Sequence, residues 1–165
     1  MSRGRVHRVI SGGQTGADRG GLDAAARLGL PRGGWCPRGR RAEDGVVPPE
    51  YPLRETRTSA YEERTELNVR WADATVVFTK GPPQGGSALT IELAKGLGKP
   101  VLHVDLGRLD RAGAVRTVRA WISREGVSTL NVAGSREGGA AGLRREVEEI
   151  LVEALGGGDT EAPGR

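Results

Sequence analysis

Cysteine occurs once in this sequence, at Cys36, so the chain can form no internal disulfide. At 165 residues it needs none, because a domain of that length buries a full apolar core. A disulfide framework is excluded, and a reducing, cytoplasmic setting is expected. Histidine occurs twice, at His7 and His103, both in predicted strands with no cysteine or carboxylate at ligand spacing, so no metal site is read. No apolar run approaches the ~20 residues of a membrane-spanning helix. The first ten residues, "MSRGRVHRVI", lack the apolar stretch of a signal peptide, so neither membrane insertion nor export is expected. Aromatic residues make up 4% of the chain and are not interleaved with basic ones, which argues against a stacking surface for nucleic acid. Lysine is scarce too. Of 25 basic residues only Lys80, Lys95 and Lys99 are lysine; the rest are arginine, spread along the chain without a block. The net charge of +4 therefore suits a small anionic ligand, gripped by guanidinium forks, as well as it suits a polynucleotide.

What the chain does have is glycine, 27 of them, and they are clustered. "ISGGQTGADRGGLDAA", from Ile10, holds five between Gly12 and Gly21. It lies between an apolar run, Val6 to Ser11, read as a strand, and a helix over about Ala17 to Leu28. Gly29 is the expected stop and Pro31 lies beyond it. Residues Gly33 to Glu55 are rich in Gly, Pro and Arg and read as one short strand and a long surface loop. "SAYE", Ser59 to Glu62, has capping-box spacing and predicts a helix to about Trp71. "ATVVFT", Ala74 to Thr79, is a β-branched run and so a strand. "GGSALTIELAKGLG" predicts a helix with Ser87 as N-cap and Gly98 as stop. "PVLHVD" is a further strand, Ala112 to Arg124 a helix, Ser128 to Gly134 a strand running into a loop, and Leu143 to Leu155 an amphipathic helix. Residues 1–5 read as a loose arm and 156–165 as a disordered tail, leaving one domain over 6–155. Strands alternating with helices predict an α/β, Rossmann-like parallel sheet covered on both faces.

Ligands of such sheets bind beyond the C-terminal ends of the strands. Three of the predicted strands end there in Gly-rich or polar loops: "SGGQTGAD", "KGPPQGGS" and "NVAGSR". Thr15 and Asp18 have capping-box-like spacing, so the first helix should start near Gly16 with its free N–H groups beside Gly12 and Gly13. A helix start behind a glycine loop is an anion site in prospect, and the alternative is a purely structural turn. The pattern is not a P-loop, because no Gly-Lys-Ser/Thr follows. Nor is it the dinucleotide fingerprint, whose glycine spacing it does not match. The second loop repeats the device at Gly85, Gly86 and Ser87, and the third adds Asn131, Ser135 and Arg136.

The segments "ISGGQTGADRGGLDAA", "GGWCPRGRRAEDG", "YPLRET", "YEERTELNVRWADATVVF", "GGSALT" and "LNVAGSRE", in that order, resemble the molybdenum cofactor carrier family over about residues 6–152. That family belongs to the Rossmann-like superfamily shared with the LOG-type nucleoside-monophosphate phosphoribohydrolases and the DNA-processing protein A group. The resemblance implies a Rossmann-like domain, self-association as a homodimer or homotetramer, and the molybdenum cofactor as a carried anionic ligand. Molybdoenzymes or cofactor-biosynthesis proteins would be its partners. Carried over residue by residue, the first-loop positions are Gly12, Gly13, Gln14, Thr15, Gly16 and Asp18, and the second-loop positions Gly85, Gly86, Ser87 and Thr90. LOG enzymes carry P-G-G-x-G-T-x-x-E at the second loop. Here "QGGSALTIE" keeps two glycines, Thr90 and Glu92, but Thr90 and Glu92 stand two apart and the third glycine is replaced. A carrier is therefore the leading reading and a LOG-type phosphoribohydrolase the alternative.

Other residues carry weaker signals. Arg38, Arg40 and Arg41 follow the predicted second strand and are expected to complete the anion pocket, or else to be a solvated turn. Cys36 is a thiol ligand or, more in keeping with lone cysteines, a small buried residue. Glu43 and Asp44 could bind a pterin edge or be solvated. Arg64, Glu66 and Arg70 read as exposed helix charges, with Glu66 and Arg70 paired at i,i+4. Asn68 and Asp73 are candidates to face the cleft. Trp35, Tyr51, Tyr61 and Trp71 are candidates for a surface that a second copy covers. No nucleophile, base and orienting group stand together, so no catalytic residue is assigned.

Overall fold

A computed structural model describes residues 5–156. The arm at 1–4 and the tail at 157–165, the greater part of both predicted termini, lie outside the described residues. Five strands form one parallel sheet: β1 (Arg8–Ser11), β2 (Arg32–Gly33), β7 (Ala74–Thr79), β8 (Val101–Asp105) and β9 (Thr129–Gly134), in the order β2-β1-β9-β7-β8. Helices α1 (Ala17–Leu28), α4 (Arg111–Glu125) and α5 (Leu143–Gly156) pack together on one side. Helices α2 (Tyr61–Trp71) and α3 (Gly85–Gly96) pack on the other. This is the Rossmann-like α/β architecture the alternation predicts.

The last strand, β9, lies in the middle of the sheet, hydrogen-bonded to β1 on one side and β7 on the other. Counting from β9 as the first strand turns the order into 3-2-1-4-5, the doubly wound order. The chain is thus wound as if its first strand had been moved to its end. The physical demand on β9 is the same in either connectivity. Buried on both faces, it offers Leu130 and Val132 to the core, and all six residues of β7 are buried. Phe78, Val118, Trp121, Leu143 and Ile150 fill the layer between sheet and helices.

Several local predictions are corrected. The stretch Gly33 to Glu55 is not one strand and a loop. It holds β3 (Trp35–Cys36) paired with β6 (Arg54–Glu55), and β4 (Arg41–Ala42) paired with β5 (Gly45–Val46). It also has its own apolar cluster of Leu22, Cys36, Ala42, Val47, Tyr51 and Leu53. Cys36 is accordingly buried, and burial pushes its thiol up, away from the thiolate form. α1 starts at Ala17, but no side chain caps it; the Thr15 hydroxyl instead donates to Glu43 (2.6 Å). Ser59 does not cap α2. Thr58, one residue earlier, makes the local bonds, to Ala60 N and Glu63. Ser87 is not the N-cap of α3 but lies inside its first turn, behind Gln84. Tyr51, taken for an exposed aromatic, is fully buried, with its hydroxyl donating to Asp23 (2.7 Å). Trp71 is exposed, at 67%. No helix among the described residues is long and apolar enough to cross a membrane.

Candidate functional site

The C-terminal ends of β7 and β9 open into a cleft of about 710 Å³. In the doubly wound numbering these are strands 4 and 1, between which the winding reverses. That is the position at which such sheets bind ligands. Gly12, Gln14, Asp18, Arg64, Gly86, Asn131 and Arg136 are among the residues on its walls.

The two glycine loops do different things there. In the first, protein atoms already occupy the space that each missing side chain leaves. A Cβ on Gly12 would meet Arg64 Nη1 at 2.7 Å, on Gly13 Leu53 Cδ1 at 2.6 Å, and on Gly16 the Ser135 carbonyl oxygen at 2.3 Å. Gly20 and Gly21, in α1, are closed in the same way by Arg144 O (2.5 Å) and Val132 Cβ (2.6 Å). The loop's polar groups are also engaged. Gln14 N donates to Asp18 Oδ2 (3.1 Å), Thr15 N to Gln14 Oε1 (3.1 Å), and Ala17 N to Ser135 O (3.1 Å). The carbonyls of Gly12 and Gly13 accept from Arg64 (3.0 Å) and Arg19 (2.9 Å). So the glycines let α1 and its loop seat tightly on α2, α5 and β9. At the second loop, by contrast, a Cβ on Gly85 or Gly86 would meet nothing within 4 Å. Among the described residues the amides of Gly85 and Gly86 have no acceptor, as befits a first helical turn. The open helix start in this cleft is that of α3.

Two buried groups of the first loop are left facing this cleft with unused capacity. Gln14 is 4% exposed. Its Oε1 accepts from both Thr15 N and Glu43 N (2.7 Å), which fixes the orientation of the amide and leaves Nε2 with no partner. A buried donor left unpaired costs about 1–3 kcal/mol, so such a group calls for an acceptor. Asp18, 6% exposed, is pushed up to about 6 by burial, against the pull of Arg64 and the amides of Gln14 and Gly12. Arg64, also buried, is pushed down by the same loss of solvent. For both, desolvation outweighs their mutual attraction.

The cleft gathers cations around one ring. Arg41, Arg64 and Arg136 lie 4.1, 5.1 and 5.0 Å from the Tyr61 ring centre. Arg136 is exposed, and among the described residues its side chain has no hydrogen bond or ion pair beyond that ring contact. Lys80, also on the wall, is shared with Glu146 (2.8 Å) and the Ala141 carbonyl. Glu43 is held below the usual carboxylate range by the Thr15 hydroxyl and Gly138 N, and so ties the first loop to the segment after β9.

Of the residues the sequence singled out, Gly12, Gln14, Asp18, Gly85, Gly86, Ser87, Thr90, Asn131 and Arg136 line the cleft. Gly13, Thr15 and Gly16 lie behind it. Arg38 and Arg40 are not on its wall. Arg38 borders a separate shallow depression with Glu55, Thr56 and Arg57. Arg40, at φ 55°, donates to the carbonyls of Val47, Pro48, Tyr51 and Leu53, which fastens the whole 40–53 segment. Asp73, just before β7, accepts from Ser128 N and Thr129 N where β9 begins. Asn68 does reach the cleft wall and also clamps Trp35 through both its N–H and C=O. Arg64 is the main residue that sequence reasoning misplaced. Its spacing of four from Asn68 puts both on one face of a polar helix, and that face is the buried one. Glu66 and Arg70 pair as read (2.8 Å).

A sheet with its winding reversal at β9 and β7, and a cleft above it with an open helix start, define a Rossmann-like domain with a candidate site at the switch point. The chain belongs to the circularly permutated YpsA SLOG family, whose model matches residues 9–155. The central position of its last strand is the structural form of that permutation. A crystal structure from Syntrophus aciditrophicus SB, named "putative molybdenum carrier protein", is 41% identical to this chain. It covers 93% of this chain and 98% of its own, with a TM-score of 0.90. No curated protein matches the chain.

Proposed function

We propose that the protein is a carrier that holds the molybdenum cofactor, or a related phosphorylated pterin or nucleotide, in the cleft over β7 and β9. The observation that carries this reading is the open start of α3. Gly85 and Gly86 carry amides with no acceptor among the described residues, beside a space where an added Cβ would meet none of their atoms within 4 Å. Oriented amides at a helix start suit a phosphate, and Arg136 on the same wall supplies a guanidinium that makes no ion pair among the described residues. The name of the 41% identical neighbour points to molybdenum as part of the cargo. Among the described residues no three His, Cys, Asp or Glu side chains are grouped to hold a metal ion. The reading therefore has the metal carried through its organic ligand. The LOG-type alternative loses ground on one observation: Glu92, the glutamate nearest to that family's pattern, is exposed and off the cleft wall. We further propose that a second copy covers the exposed Trp71.

The test is to purify the protein from cells that make the cofactor, release what it holds, and identify it by mass spectrometry. A phosphorylated pterin in the wild type, and its loss in an Arg136→Ala variant that melts normally, is the expected result. A protein that carries no pterin or nucleotide, or that keeps it fully in Arg136→Ala, overturns this placement of the ligand. Ribose 5-phosphate released at enzyme-like turnover from a nucleoside monophosphate would restore the hydrolase reading.

A further inference from the structure

The orphan amide of Gln14 and the carboxyl of Asp18 are on the wall of the same cleft, more than nine-tenths buried, with complementary unused capacity. Resting on the reading that the cleft holds a phosphorylated ring compound, we propose that these two side chains select the ring by its edge. They would take two neighbouring N–H donors on Asp18 and a carbonyl acceptor on Gln14 Nε2, the 2-amino-oxo edge common to pterins and guanine.

The argument is one of counting donors and acceptors. An ionised carboxylate offers about four acceptor positions. In Asp18 the Gln14 amide takes one (3.1 Å), and allowing a second for the neighbouring Gly12 amide still leaves room for two more donors. Gln14 does not supply one through Nε2, which has no partner among the described residues. Its Oε1 is held by Thr15 N and Glu43 N, so the amide cannot turn over without setting its NH2 against two N–H groups. Its Nε2 can only donate, and none of the described residues accepts. A ring edge with a carbonyl beside two neighbouring N–H donors completes both groups at once. Adenine offers one exocyclic donor beside a ring acceptor and leaves a position of Asp18 unused. Hypoxanthine keeps the carbonyl and one N–H but lacks the amino group. Sites that pair with a polar substrate group reject analogues lacking it, because the buried partner is then stranded. The conformation of the first loop supports this division of labour. Its glycines press Gln14 and Asp18 into the wall and leave the phosphate to the start of α3.

Calorimetric titration of the wild type with GMP, IMP, AMP and inorganic phosphate tests the inference. GMP should bind at least tenfold more tightly than IMP or AMP, and phosphate should compete with all three. Asp18→Asn turns one acceptor into a donor and should bring the three nucleotides within threefold of each other while phosphate affinity holds. Equal wild-type affinities for GMP and AMP, with phosphate still competing, overturn the edge selection and leave the phosphate site standing. If neither nucleotides nor phosphate bind, the underlying reading of the cleft falls and the inference falls with it. The wild-type comparison is decisive by itself, whatever the variant does to folding.

Discussion

Replacing Gly16 by alanine would set a methyl carbon 2.3 Å from the Ser135 carbonyl oxygen and 2.7 Å from Glu137 N. Both are backbone atoms of the segment that follows β9, so neither can swing away. The residue also stands at φ 82°, ψ −128°, a region that only glycine occupies without strain. That conformation costs a side-chain-bearing residue about 1–3 kcal/mol. Overpacking against a fixed backbone adds about 1–3 kcal/mol more. Together they predict a loss of roughly 2–6 kcal/mol, or roughly 4–24 °C in Tm for a domain of this size. Gly86→Ala is the matched control. It adds the same methyl at a helix start, but into open cleft and at an ordinary φ. Its stability should hold or rise by a few tenths of a kcal/mol, as an alanine in a helix does. Its ligand retention should fall, because the methyl crowds the proposed phosphate position. Thermal melts of both variants without ligand, followed by mass spectrometry of what each retains, separate the two loops. If Gly16→Ala melts within about 2 °C of the wild type, the close packing ascribed to the first loop is wrong. If Gly86→Ala keeps its ligand in full, the phosphate does not sit on α3.

Three further outcomes follow from the same geometry. Asp18, pushed up to about 6, holds its proton in the folded state after the unfolded chain has lost it near its ordinary value of 3.8. Stability should therefore fall as pH rises from about 4 to about 6 and stay lowered above that, by about 3 kcal/mol at most. In a pH series of melts Asp18→Asn should lack this component and be the more stable protein near neutrality; parallel curves for the two would refute the assignment. Arg40→Ala should lower the melting temperature by releasing four backbone carbonyls while leaving phosphate affinity unchanged, whereas Arg136→Ala should do the reverse. A dimeric or larger mass by light scattering is expected for the wild type, and Trp71→Glu should reduce it toward the monomer.

The periodicity of the chain determined the α/β class, most helix and strand limits, and the Gly29 stop of α1, since these depend on contacts a few residues apart. α1 falls on the predicted Ala17–Leu28 and β7 on Ala74–Thr79, because each has a strong pattern bounded by glycine or polar residues. Which glycine loop lies open was not legible. Both loops read as bare backbone before a helix. What closes the first is Arg64, Leu53 and Ser135, which stand 40 to 119 positions along the chain from the glycines they meet and are brought there by the tertiary fold. The fate of the charges was equally a tertiary matter. Arg40 and Arg136 have the same chemistry in sequence, yet one is spent on four carbonyls of its own segment and the other stands free of ion pairs at the cleft. Burial and partner supply decide whether a guanidinium holds the fold or waits for a ligand, and only the packed structure sets those.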